Sequence, residues 1–227
     1  MEKYGTIPPK FTKEWWDYFW EYYKKHVICV LIVLFFVLTT LYQCATKTEY
    51  DLEISFLGIG QLSDETKEKI INQISPVITE STGNDIIDVF CYQYPYSPSE
   101  SAKSEIPSQQ DFAMQQKYMA ELNAGVCDIY IMSKSDFEAS DYFSEAYISV
   151  GEFYNKPYSD DCILKDDNGR AYAVSLKNNE IFSDTGLADN DLYIAVRTLN
   201  SSRSKKEKSL LNYDNSLKVA AKLSGCE

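Results

Sequence analysis

The sequence predicts an α/β protein: a single transmembrane helix followed by one three-layer α/β domain with a mainly parallel sheet. Three observations lead there. Residues 27–46, VICVLIVLFFVLTTLYQCAT, are twenty positions without a charge. Beyond them the hydrophobic pattern changes to short runs of period two, interleaved with runs of helical period. Their order, strand, helix, strand, helix, strand, calls for parallel strands joined by right-handed crossovers.

At about 1.5 Å per residue, twenty residues make a helix roughly 30 Å long, the thickness of a bilayer's hydrocarbon core. A buried helix of a soluble domain rarely runs so far without a polar face. Lys24, Lys25 and His26 bound the run on one side, Lys47 and Glu49 on the other. Ahead of it, FTKEWWDYFWEYY sets Phe11, Trp15, Trp16, Phe19 and Trp20 among tyrosines and charges. Thr12 is placed to cap this segment, with Glu14 in its first turn and Pro8 and Pro9 just before. Rings with an apolar body and a polar edge concentrate at the headgroup level. Residues 1–25 therefore read as a cytoplasmic aromatic amphipathic arm, lying on or leading into the inner face of the bilayer. Partner binding is the alternative use for it. Residues 26–46 are the transmembrane helix and residues 47–227 the extracytoplasmic domain.

Orientation follows from the basic residues. Lys24 and Lys25 abut the span, whereas Lys47 on the far side is followed at once by Glu49, Asp51 and Glu53. The N-terminus is therefore expected in the cytoplasm. A cleaved secretory signal would open with a short basic stretch and close on small residues, unlike this aromatic arm. A lipidated cysteine needs small residues before it, and Cys44 follows Leu41-Tyr42-Gln43. The segment reads as an uncleaved signal anchor in a cell membrane.

The chain carries 22 basic and 34 acidic residues. With five lysines and four acids ahead of the span, 17 basic and 30 acidic residues remain beyond it, a net of −13. Such a domain is repelled by nucleic acid and by anionic headgroups, so no nucleic-acid partner is expected. The partners that fit are the bilayer holding the span and a small solute, a peptide or another envelope protein.

Within the domain, residues 50–57 alternate as a strand should and end in Gly58-Ile59-Gly60. Ser63 then caps a helical run with Ile70, Ile71, Ile74, Val77 and Ile78 on one face, which Pro76 ends or kinks. Residues 86–93 form a second strand, and residues 97–106, rich in Ser and Pro, a loop. Ser108 with Asp111 makes a capping box for a helix whose inner face carries Met114, Tyr118, Met119 and Leu122. Gly125 stops it. Residues 126–132, VCDIYIM, are an apolar run typical of a strand covered on both faces. Ser135 with Glu138 starts a short helix toward Phe143. Residues 162–165 and 170–176 flank Asp166-Asp167-Asn168-Gly169, a hairpin signal. Residues 191–197 are a further strand. Residues 201–209 form a charged loop or helix lead-in, with Arg203 to Lys208 a solvated surface. A last helix from about residue 214 to Leu223 turns Leu217, Ala220, Ala221 and Leu223 inward and is closed by Gly225.

No motif here specifies a reaction. His26 is the one histidine and lies at the membrane edge, which removes histidine and cysteine–histidine catalysis from the domain. Carboxylate pairs remain the enzymatic alternative, though nothing in the sequence selects a pair. The spacing of Cys29, Cys44, Cys91, Cys127, Cys162 and Cys226 fits no zinc site. Cys91 and Cys127 sit in apolar runs and read as small buried hydrophobes, while an oxidising compartment would permit one or two disulfides. Taking Gly169 as the sixth position of a calcium loop puts Leu164 first and Ser175 twelfth, where acids are required, so a turn is the better reading. No metal site and no cofactor are expected.

In open α/β sheets, ligands collect beyond the carboxyl ends of the strands. Those ends are residues 58–61, 94–97 and 133–135, which makes Gly58, Gly60, Tyr94, Tyr96, Ser133 and Ser135 the candidate ligand-binding residues. The two tyrosines would be stacking surfaces, or else pack on Pro95 and the neighbouring loop.

The segments "AGVCDIYIMSKSDF", "DNGRAYAVSL", "DLYIAVRTLN" and "NSLKVAAKL", with the first strand after the membrane, resemble parts of one lobe of extracellular solute-binding proteins of the type 2 periplasmic-binding class. Members of that class usually have two lobes that close on a ligand, and this chain has room for one, or for two truncated ones. The aromatic arm and single span also resemble small single-pass membrane proteins of Gram-positive type. These resemblances imply a membrane-anchored, non-catalytic binding module for a small solute or peptide. The alternative is a structural subunit that docks other envelope proteins and has no small-molecule pocket.

Overall fold

Residues Lys13–Ala45 form one unbroken α-helix, α1. It is seen in the computed structural model, which describes residues 9–45, 49–103, 108–183, 187, 191–199 and 205–225. Thr12 caps α1 as its position suggests: its Oγ1 accepts from the Trp15 N–H at 3.2 Å. The most apolar stretch has a mean hydropathy of 2.2 and none of it is covered by protein, so the helix is long and apolar enough to cross a membrane. The aromatic residues from Trp15 on and the apolar stretch thus share one continuous helix. The chain divides into two compact units, Met1–Thr48 and Glu49–Glu227.

The second unit is a six-stranded sheet with the order β2-β1-β3-β6-β5-β4, where β1 is Leu52–Leu57, β2 Val89–Tyr94, β3 Ile129–Ser133, β4 Ile163–Lys165, β5 Ala171–Ser175 and β6 Leu192–Val196. β1 runs parallel to both β2 and β3. β6 is antiparallel to β3 and to β5, and β4 is antiparallel to β5. The sheet is mixed. The parallel arrangement expected holds from β2 through β1 to β3, and the second half is antiparallel. Strand periodicity carries no direction; the connections set it, and a tight hairpin returns β5 beside β4.

Helices cover both faces, giving three layers. On one face α2 (Asp64–Ile74) and α7 (Glu207–Leu223) pack Ile70, Ile74, Val219, Ala220 and Leu223 against Leu52, Ile54, Ile129, Ile131 and Ile194. On the other, α4 (Gln109–Ala124) and α5 (Lys134–Ala139) pack Tyr118, Leu122 and Phe137 against Leu57, Tyr130 and Met132. Each large apolar side chain so buried contributes about 1.5–3 kcal/mol. β3 and β6 alternate between the two cores, which is why both read as continuous apolar runs.

Several boundaries depart from expectation. Residues 97–106 are not all loop: α3 (Pro98–Lys103) starts on Ser97, whose Oγ accepts from the Glu100 N–H at 3.2 Å, with Pro98 in the first helical position. α5 is capped by Ser133 with Asp136, two residues before the Ser135 and Glu138 pair expected to do it. β2 begins at Val89 because Asn84 Oδ1 accepts from the Ile86 N–H (2.9 Å), Asp85 is left-handed (φ 59°), and Ile86 stays exposed. α7 begins at Glu207 rather than near residue 214. Its inward side is polar at Asn215, which exchanges hydrogen bonds with the Thr79 backbone at 2.8 Å in both directions and so hides the apolar period. Residues 104–107, 200–204 and Cys226 lie outside the described residues.

Other expectations hold. Ser63 Oγ caps α2, Ser108 and Asp111 form their capping box, and Gly125 ends α4 in the left-handed region (φ 72°). A Cβ on Gly125 would run into the Arg197 guanidinium, a second reason for glycine there.

Candidate functional site

The carboxyl ends of β1, β2 and β3 do converge, and what lies between them is a side chain of the protein itself. β1 leaves through Gly58 (φ 66°), whose N–H donates to the Tyr94 carbonyl at 3.0 Å. β3 ends on Ser133, which caps α5 and so presents Asp136 from the first turn of that helix. Asp136 is 2 % exposed. Its Oδ1 accepts from Ser97 Oγ at 2.6 Å and from the Ser99 N–H at 3.0 Å, and its Oδ2 accepts from Ser133 Oγ at 2.8 Å. A Cβ on Gly58 would lie 2.6 Å from Asp136 Oδ2, so the bare glycine gives this carboxylate its room. The crevice where an α/β sheet usually receives a ligand is occupied by an internal anion with its acceptors in use.

Of the six residues singled out from the sequence, Gly58 and Ser133 line this arrangement. Ser135 is exposed beside it, its Oγ 3.0 Å from Ser133 Oγ. Gly60 is exposed with open space around it. Tyr94 and Tyr96 are 5 % and 4 % exposed and belong to the core beneath α4. Tyr94 donates its hydroxyl to Glu121, whose carboxyl burial pushes up, and Lys117 Nζ lies 5.2 Å from the centre of its ring. Neither ring offers a stacking face. Asp136 itself was legible only as the third helical residue of a Ser-x-x-Asp cap.

The remaining buried acids are likewise committed. Asp51 accepts from the Ser81 N–H (2.6 Å), Ser81 Oγ (2.7 Å) and the Asp88 N–H (2.8 Å), tying the start of β1 to the segment before β2. Asp128 lies 3.7 Å from the buried Arg197 guanidinium. Asp166 folds back into the hairpin, accepting from Asn168 and Arg170 N–H groups (3.0 and 2.9 Å) and from Arg170 Nε (2.9 Å). The backbone N–H of Arg170, followed by its side chain and the Asn168 N–H, holds the Asp166 carboxyl below the usual range. This is a side chain closing a turn. Burial pushes the Cys91 thiol up to about 11 and the Cys127 thiol further, the behaviour of packed thiols rather than of nucleophiles.

Away from the strand ends, a depression of about 550 Å³ opens between the end of α7 and the segment that follows β5 into the short helix α6 (Glu180–Ser183), lined by Asn72, Gln73, Lys156, Asn178, Glu180 and Lys222. Asn179 at its floor donates to the Leu223 carbonyl at 2.6 Å and accepts from the Ile181 N–H at 2.8 Å. Its lining is mixed, with Pro76 and Ile181 among the polar side chains.

The chain matches no known family model, no curated protein and no solved structure. The likeness to a solute-binding lobe therefore rests on the short sequence segments alone.

Proposed function

We propose that this chain is a single-pass membrane protein, cytoplasmic at its N-terminus, whose Glu49–Glu227 domain is a non-catalytic docking module for other proteins outside the membrane. One observation carries the reading: Asp136 takes up the strand-end crevice with three accepted hydrogen bonds, leaving no acceptor set or aromatic face for a solute there. The buried acids among the described residues support it, since Asp51, Asp128, Asp136 and Asp166 are each engaged within the fold.

The experiment is a thermal-shift screen of the full-length chain in detergent against amino acids, sugars and short peptides. A ligand that binds only the folded state raises apparent stability. No shift is expected from the small solutes, and a reproducible shift with one class overturns the docking reading. A second reading, solute binding, is favoured by the depression near Asn178 and Lys222, which combines amide and charged groups with apolar surface. Under it the shift would vanish in Asn178→Ala.

A further inference from the structure

β2 lies at one edge of the sheet, and the direction of its backbone groups can be worked out. The carbonyls of Asp88 and Tyr94 accept from the N–H groups of Asp51 (2.8 Å) and Gly58 (3.0 Å), on the β1 side. Successive residues of a strand turn their N–H and C=O to opposite sides. Asp88, Phe90, Tyr92 and Tyr94 therefore face β1, and Val89, Cys91 and Gln93 turn theirs away from the sheet. The outward positions are symmetric about Cys91. The strand, VFCYQY, has no charge and no proline, the features that usually blunt an edge.

We propose that this edge pairs with β2 of a second copy of the chain, antiparallel, about a two-fold axis through Cys91, so that two sheets join into one. The inference rests on the reading of the domain as a protein-docking module and names its partner. In that register Cys91 faces Cys91 of the second copy and Val89 faces Gln93 of the second copy. Every outward N–H and C=O of the strand then meets one of the opposite kind. On the aromatic face, where Phe90 packs on Tyr50 (4.8 Å) and Tyr92 (4.6 Å), Phe90 falls opposite Tyr92 of the second copy and the row of rings continues across the join. At each end Asp88 falls opposite Tyr94 of the second copy, the ring that carries Lys117. Lys117 also lies 3.9 Å from Glu121 and Asp88 accepts from Asn84 Nδ2 at 2.8 Å, so the charges at the two ends are balanced within each copy and the pairing rests on the backbone ladder and the row of rings. A shared bilayer, by confining both copies to one surface, raises their effective concentration.

The test uses the full-length chain in membranes. Opposed Cα atoms in such a pair lie about 5.5 Å apart, within reach of a disulfide. Mild oxidation at about pH 9, where more of the buried thiol is thiolate, should link two chains through Cys91, identified by peptide mass, and Cys91→Ser should abolish the link. In the Cys91→Ser background, Val89→Cys with Gln93→Cys should cross-link, whereas either alone should not, because like positions are about 14 Å apart. Light scattering in detergent should give the mass of two chains. Links formed as readily by the single variants overturn the register. A monomer mass without Cys91 links, in a chain that also ignores the solute screen, overturns the pairing and leaves the docking reading standing. A Cys91 link to a different protein does the same, and a response in the solute screen sinks the docking reading instead.

Discussion

The two edges of the sheet are built in opposite ways. β4 is three residues long, carries Lys165 paired with Asp160 at 2.9 Å, and is interrupted by a bulge where Lys165 pairs with Ala171 instead of Tyr172. β2 is six residues long, uncharged and aromatic, with Phe90 37 % exposed. A short, charged and bulged edge resists pairing with another chain, and a long flat one invites it. The same asymmetry runs inward. The β2 half is parallel and closes the crevice beyond its strand ends with Asp136, while the β4 half is antiparallel and closes its hairpin with Asp166. One half spends its polar residues on sealing a crevice and leaves its backbone edge free. The other spends them on the edge.

The largest expected effect lies on the seam between the halves. Gly125→Ala forces an L-residue into a left-handed conformation and presses on Arg197, whose Nε donates to the Cys127 carbonyl at 3.3 Å beside Asp128. A loss of about 4 kcal/mol in chemical denaturation is expected, from backbone strain plus a disturbed buried ion pair. Next comes Asp136→Ala, which strands the Ser97 and Ser133 hydroxyls and the Ser99 N–H. It should cost about 3 kcal/mol, and Asp136→Asn about half of that. A variant without that loss would show that the strand ends are not sealed as described.

Asp166→Asn, in the other half, should cost less than Asp136→Asn and should differ in its pH dependence. The Asp166 carboxyl is held low in the folded state, so its contribution is present above the unfolded value near pH 4 and fades as pH falls through the lower folded value. Between about pH 5 and about pH 2, melting of the native chain should therefore fall more steeply than that of Asp166→Asn. Parallel curves would remove the hairpin carboxylate from the account. The smallest change in stability is expected of Phe90→Ala, about 1 kcal/mol for a ring 37 % exposed and packed on Tyr50 and Tyr92, while light-scattering mass in detergent reports any loss of self-association.

The parallel half was the more legible in the sequence. Its strands and helices are bounded by caps with local chemistry, such as Ser63, Ser108 with Asp111, and Gly125, and local chemistry is what a sequence displays. The hairpin around Gly169 was equally plain. What escaped depends on distant partners. The direction of β6 is set by its neighbours β3 and β5, and the early start of α7 by Asn212 and Asn215 reaching the Tyr50 and Thr79 carbonyls. Of the six strand-end candidates Gly58 and Ser133 flank Asp136, and nothing local announces that this carboxylate fills the space between them. α3 is hidden by Ser97-Pro98, which reads as loop, although Ser97 followed three residues later by Glu100 is a helix-start pattern.

The unbroken α1 has a mechanical corollary. Trp15, Phe19 and Tyr23 succeed one another at helical spacing, with ring centres 5.4 Å apart at each step, so they mark a single longitude of the rod. Whatever grips that longitude also sets the azimuth of Val30, Val33 and Val37 further along, because an α-helix cannot be twisted about its axis without breaking its hydrogen bonds. A grip on the rings would thus index the rod, fixing which flank of its apolar segment a neighbour meets.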